Sequence, residues 1–325
     1  MDQQSIRKIL EKEEPKKLFE DLQDLSPCNM CPKNCNADRL NGEPGYCKSG
    51  KDFNISSICI HRGEEPAISG RRGICNIFFT HCNLQCKYCQ NHQISFNSLK
   101  HTAAKMTLPE ILSAITHILD QGIKAVGFVS PSHVIPQMKV IIKGLKLLGY
   151  DPIFVYNSNG YDKVEELRKL EGLIQVYLPD FKYMDEKLAW EYSDAENYPR
   201  TALNAIKEMY RQVGSALHVN EDGQAERGMI IRHLVLPGHA DNSIRVLQEI
   251  ADKISPNINI SLMSQYYPTY HVAGHQFLGQ TLKRNEYNLV VDVMEHLEMQ
   301  KGWIQDMDSY ENYRPDFEKK ENPFD

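Results

Sequence analysis

From Cys75 to Met263, short β-branched or aromatic runs alternate with apolar residues at helix spacing. Few folds accept such a pattern, because a strand that returns parallel to its predecessor needs a crossover, usually a helix. Strands are expected at Ile77–Phe79, Ala125–Val129, Ile153–Tyr156, Leu173–Leu178, Met229–Leu236 and Ile258–Met263. Between them, Leu108, Ile111, Leu112, Ile115, Ile118 and Leu119 recur as one helical face, with Thr107 as N-cap and Pro109 in the first turn. A second helix ends near Gly149. Val164, Leu167 and Leu170 mark a short helix, Thr201–Val213 a longer one, and Ile244, Leu247 and Ile250 another. Six strand–helix units fall two short of a closed eight-stranded barrel. The expected class is therefore α/β, a partial (β/α)6 TIM-like barrel with an N-terminal cysteine-rich extension. In parallel barrels the chemistry sits at the C-terminal strand ends, which directs attention to the residues just after 79, 129, 156, 178, 235 and 263.

The expected division is an extension over 1–70, the barrel over 71–275, and a final helix (Leu282–Gly302) with an aperiodic tail over 276–325. Residues 1–25 read as a short polar helix, charged on most faces. Residues 26–70 are rich in Cys, Pro, Asn and Gly, as in a segment held by ligands more than by a core. The net charge of −6 argues against a nucleic-acid binder that works by bulk electrostatics. No apolar run reaches membrane-spanning length, and the mixed-charge start lacks the apolar stretch of a secretory signal. A soluble, cytoplasmic protein without a membrane partner is expected.

All nine cysteines lie between Cys28 and Cys89. An odd, crowded set in a chain with no export signal favours metal or redox chemistry over disulfides. Cys82, Cys86 and Cys89 form Cys-x3-Cys-x2-Cys where the first strand ends. Three thiolates suit three irons of a cubane and leave the fourth iron open to a cofactor or substrate. The competing assignment is a zinc knuckle completed by His81 or His92. Upstream, Cys28, Cys31, Cys35 and Cys47 make a closed four-thiolate set, with Pro and Gly at its turns. Such a set takes either a second 4Fe–4S cluster or structural zinc. Cys59 and Cys75 remain as small buried residues, although Cys59-Ile-His61 offers an extra ligand.

With Tyr88 before its third cysteine, the loop resembles that of the radical S-adenosylmethionine superfamily. A closer resemblance runs from Cys28 to about Tyr270, to uncharacterised iron–sulfur proteins related to pyruvate formate-lyase-activating enzyme. It is carried by CNMCPKNC, GEPGYC, FFTHCNLQCKYCQN, VSPSHVIPQ, VYNSNGYD, VYLPDFKY, IIRHLVLPG and ISLMSQYYP. The resemblance implies a 4Fe–4S cluster whose open iron binds S-adenosylmethionine, reductive cleavage to methionine and a 5′-deoxyadenosyl radical, and hydrogen abstraction from a protein, peptide or small molecule. It also implies an electron donor such as flavodoxin or ferredoxin.

The strand ends then supply candidate cofactor contacts besides Tyr88. Ser130 and Ser132 stand where the superfamily often has Gly-Gly-Glu; they offer hydroxyls, or Ser132 simply caps a helix. Asn157-Ser158-Asn159-Gly160 and Asp180-Phe181-Lys182 resemble activating-enzyme words for the methionyl carboxylate and ribose. Asn157 replaces an aspartate there, which puts the family's cation site in doubt. Asp180 and Lys182 read otherwise as a surface charge pair. Arg232, inside an apolar strand, must pair or face a cavity; a cofactor carboxylate and a structural salt bridge both fit. Gln265 and Tyr266 follow the sixth strand, where activating enzymes place a histidine near adenine. Histidines on helices, such as His117 and His296, read as surface or core residues. A glycyl-radical activase is one form of the enzyme reading. A non-catalytic iron–sulfur or zinc regulatory protein is the alternative.

Overall fold

Each expected apolar run builds a strand, and period-two alternation decides which side chains face inward. A computed structural model describes residues 1–12, 15–99, 105–309, 314–319 and 322–324. Its strands are β1 (Phe53–His61), β2 (Ile74–Phe79), β3 (Lys105–Met106), β4 (Ala125–Val129), β5 (Ile153–Ser158), β6 (Val176–Pro179), β7 (His218–Val219), β8 (Ala225–Leu234), β9 (Asn259–Met263) and β10 (Gly302–Ile304). The sheet order is β10-β9-β8-β6-β5-β4-β2-β1-β3, with β7 paired to β8. From β10 to β2 every pairing is parallel, whereas β1 and β3 are antiparallel additions at one edge.

The stretch before β2, the final helix and the first residues differ from expectation. β1 lies in the stretch expected to be irregular; its Phe53, Ile55 and Cys59 are buried, and it pairs along β2. The expected final helix covers only Arg284–His296: its C-cap is Leu297, and Glu298 just beyond takes a left-handed φ of +56°. After it β10 joins β9, and a Cβ at Gly302 would lie 1.9 Å from the Ile260 carbonyl oxygen. Thus the sheet extends past both expected boundaries, into 1–70 and into 276–325. The first residues form a one-sided helix, Gln3–Leu10, with Ile6 and Leu10 buried. Further along, Thr107 and Glu110 form the predicted cap of Leu108–Leu119: the Thr107 N–H donates to the Glu110 carboxylate at 2.7 Å.

The sheet has two different faces. Phe128, Phe154, Tyr156, Tyr177 and Ile231 lie on the helix-covered side, in the main core. Ile74, Ala125, Val155, Val176 and Ile230 pack together on the other side as a small plug. Farther along these inner rows come Phe78, Val129, Asn157, Asp180 and Arg232, which line a cavity. The tail crosses its rim: Phe317 and Phe324 lie 5.2 and 5.7 Å from the Phe78 ring.

Two fully enclosed histidines make the fold acid-sensitive. Burial pushes His133 down to about 3 and His233 down to about 4. His133 Nε2 meets the Thr80 carbonyl at 3.1 Å, and His233 Nδ1 meets the Phe181 carbonyl at 2.6 Å. Because both folded values lie below the unfolded value of 6.5, stability is complete above pH 6.5. It falls as pH drops toward the folded values, by about 3–5 kcal/mol per histidine at most. Urea melts at pH 7.5, 6 and 5 should show this loss, and His233→Gln should flatten it. An unchanged slope in that variant would remove His233 as a cause.

Candidate functional site

The loop after β2 carries Cys82, Cys86 and Cys89, and all three line the inner-face cavity of about 460 Å³. Each sulfur meets donors from different parts of the chain. Cys82 Sγ accepts from the Leu84 N–H and the Asn159 side-chain amide, both at 3.4 Å. Ser193 Oγ donates to Cys86 Sγ at 3.0 Å, and Ser95 Oγ to Cys89 Sγ at 3.3 Å. Burial pushes the thiols up, Cys82 to about 12 and Cys86 to about 11, with Cys89 raised too. A bound metal reverses that balance, since coordination displaces the thiol protons. Among the described residues no group of three or more such side chains is arranged to hold a single metal ion.

Around the cysteines, the cavity gathers Tyr88, Ser130, Asn157, Asp180, Lys182, Arg232 and Gln265. Tyr88 is buried and shares a 2.6 Å hydrogen bond with the Tyr183 hydroxyl. Tyr183 in turn meets Ser193 Oγ at 2.7 Å, so the donor to Cys86 is itself positioned. Lys182 and Asp180 pair at 2.5 Å with both side chains largely covered, and so form no ordinary surface pair. Burial opposes the lysine charge, but Asp180 and Cys86 outweigh it and raise the Lys182 pKa.

Ser132 and Ser158 lie elsewhere. One residue beyond inward-facing Asn157, Ser158 points to the opposite face, where its hydroxyl donates to Asp162. Ser132 is buried beside the same Asp162 and Tyr156. These groups, with Tyr156 donating to Asp162 at 2.8 Å, form a polar knot behind the site. Burial raises the Asp162 pKa.

Gly160 lets the β5 turn touch the β6 end. It holds φ +80°, and a Cβ there would stand 2.2 Å from the Asp180 carbonyl oxygen and 2.7 Å from the Tyr198 hydroxyl. That hydroxyl donates to the Asn159 and Asp180 carbonyls at 3.0 and 3.1 Å. Gly160→Ala should cost about 2 kcal/mol or more through φ strain and overpacking. A denaturant midpoint unchanged from wild type would refute the close approach.

Arg232 has partners that sequence reading missed. Its guanidinium donates through Nε to Glu65 at 2.8 Å, and through Nη2 to both Glu64 and Glu65. Asn76 donates to the other Glu64 oxygen at 2.8 Å. Burial opposes the Glu64 charge, yet Arg232, His61 and Asn76 prevail and lower its pKa. The strand's positive charge is thus paired within the chain. Among the described residues Nη1 alone of the fork makes no hydrogen bond, on a side chain that lines the cavity. The adjacent pair Glu64-Glu65 before Pro66 was the only sequence signal, and spacing alone does not connect it to a strand some 167 residues away.

The four upstream cysteines lie in the N-terminal segment, with Cys28, Cys31 and Cys47 buried and Cys35 half-buried. Cys28, Cys35 and Cys47 each act electrostatically on Cys31, whose thiol burial pushes up to about 12. Cys59 and Cys75 are buried on neighbouring strands, paired with Asn76 and Ile60 respectively. His61 is buried against Phe324 at 3.9 Å and borders the cavity. His117 and His296 are exposed.

A parallel partial barrel with a three-cysteine loop after its first parallel strand defines a class of iron–sulfur proteins. The Radical SAM superfamily model matches residues 76–250, more than half of the chain, and the protein belongs to that superfamily. It is 28% identical over 272 residues to the uncharacterized protein MJ0674 of Methanocaldococcus jannaschii, covering 82% of this chain and 74% of that one. Its fold is similar to that of HydG, a maturase of the [FeFe]-hydrogenase, with a TM-score of 0.50 and 14% identity over 95% of this chain and 69% of HydG. Methylornithine synthase (PylB) matches with a TM-score of 0.46 and 11% identity, over 91% of this chain and 74% of its own. Superfamily membership implies a 4Fe–4S cluster and S-adenosylmethionine. No helix among the described residues is long and apolar enough to cross a membrane.

Proposed function

We propose that this protein is a radical enzyme that cleaves S-adenosylmethionine at a cluster held by Cys82, Cys86 and Cys89, and acts on a substrate seated in the same cavity. One observation carries the reading: the three sulfurs open onto a cavity that also presents Asn157, Asp180, Lys182 and the Arg232 guanidinium. When bound, the cluster and cofactor supply one-electron cleavage to methionine and a 5′-deoxyadenosyl radical. The chain's own residues bind and orient. Lys182 and Arg232 Nη1 offer positive donors for a carboxylate, and Asp180 and Asn157 offer acceptors for hydroxyl and amino groups. Tyr88 and Gln265 form the wall beside the loop, with Gln90 donating to the Gln265 carbonyl at 2.8 Å. The inner plug closes one end of the cavity and limits entry of water.

The substrate in this reading is a protein, peptide or small molecule, a glycyl-radical enzyme included, and the electron comes from a donor such as flavodoxin or ferredoxin. A non-catalytic iron–sulfur or zinc regulatory protein would have no use for charged groups gathered around an open cavity. The test is anaerobic reconstitution followed by dithionite and S-adenosylmethionine. Methionine and 5′-deoxyadenosine should form; a fully loaded cluster that leaves the cofactor intact would overturn the proposal.

A further inference from the structure

The N-terminal four-cysteine segment is joined to the radical-cluster loop by direct hydrogen bonds. The Tyr46 N–H donates to Cys35 Sγ at 3.1 Å. The Tyr46 carbonyl accepts from the Asn97 side-chain amide at 3.0 Å. The same amide's oxygen accepts from the Cys82 N–H at 3.2 Å. One sulfur of each cysteine set therefore lies on a single path of three hydrogen bonds and a few covalent bonds. A second contact runs beside it. The Tyr46 hydroxyl and the Lys33 ammonium both hold Asp194, the neighbour of the serine that donates to Cys86.

Arg39 adds an electrostatic requirement. It is 1% exposed, and among the described residues no carboxylate pairs with it. Its donors reach the carbonyls of Ser49 (2.7 Å), His133 (2.8 Å) and Gly50 (3.3 Å), and Cys28 Sγ at 3.4 Å. A buried cation needs a counter-charge, and the Cys28 sulfur is the acceptor of Arg39 that gains charge when a metal displaces its proton. Four metal-bound thiolates meet that need.

We propose that Cys28, Cys31, Cys35 and Cys47 hold a second, redox-active 4Fe–4S cluster that relays electrons to the radical cluster through Tyr46 and Asn97, with Arg39 as its buried counter-charge. The relay is balanced. A low-potential one-electron donor protein reduces the second cluster by one electron, which passes to the first; no proton or bond is exchanged, and the second cluster returns to its oxidised state. This rests on the reading of Cys82, Cys86 and Cys89 given above, and the experiment separates the two.

Wild-type protein isolated anaerobically should contain about eight irons, by two four-iron clusters. About four irons with one zinc would overturn the relay while leaving dithionite-driven 5′-deoxyadenosine formation intact. In the Cys82/Cys86/Cys89→Ala variant, about four irons should remain, with one reversible one-electron couple. Arg39→Gln on that background should move the midpoint potential to a more negative value, because Arg39 favours the more negative reduced state. An unmoved potential would remove Arg39 from the proposal. In fully reduced wild-type protein, the EPR signal should be broadened or split relative to the isolated second cluster. Two independent, additive signals would overturn the coupling. Asn97→Leu should slow re-reduction of the radical cluster by a donor protein while dithionite-driven cleavage persists; equal slowing of both would make Asn97 a structural residue only.

Discussion

Replacing Cys82, Cys86 and Cys89 together by alanine is expected to abolish 5′-deoxyadenosine formation and the EPR change that S-adenosylmethionine causes in the reduced protein. The effect should be all-or-none. Each sulfur occupies its own place on the cavity wall, with its own donors from Asn159, Ser193 and Ser95, and among the described residues no other cysteine lines the cavity. The fold should persist, because the surrounding core of Ile77, Phe79, Leu84 and Tyr88 is untouched. Circular dichroism and the melting temperature measured beside activity establish that point. A triple variant that still cleaves the cofactor would place the radical cluster elsewhere.

Arg232→Met should produce the largest loss of stability of any single change in the cavity, about 3–5 kcal/mol, the usual cost of breaking a buried ion pair. The cost comes less from the lost bonds than from what remains, two covered carboxylates with no cation. Glu64 and Glu65 have side chains 10% and 6% exposed. Adding Glu64→Gln and Glu65→Gln to Arg232→Met should therefore restore much of the stability, and urea melts check this. With the rescued variant folded, calorimetry can address the cofactor. Loss of the Nη1 contact should weaken S-adenosylmethionine by roughly ten- to a hundredfold, the scale of a hydrogen bond to a charged group. Unchanged affinity would make Arg232 structural only.

Much of the site's location was legible from the chain. The strand ends after residues 79, 129, 178 and 263 do carry Cys82, Ser130, Asp180 and Gln265 to one cavity. The two serines show where that reading stopped. Ser158 and Asn157 share one motif, yet one residue's difference along a strand sends them to opposite faces. Only the strand register, Asn157 against Leu178 and Val129, tells which faces the cavity. Arg232 illustrates a second limit: the need for a partner was clear from its apolar strand, but the identity of that partner was not.

The sequence by itself determined what depends on neighbours along the chain. Helix and strand periods, the Cys-x3-Cys-x2-Cys spacing, and the glycines that permit left-handed turns are all local, because steric and hydrogen-bonding preferences act over a few residues. Only the tertiary structure decided the rest. It placed β1 and β10 in the sheet, joined Glu64 and Glu65 to Arg232, and set Tyr46 and Asn97 between two cysteine sets. Those pairings bring together groups distant along the chain, and their energies exist only once the sheet's register and the barrel's curvature have removed the intervening water.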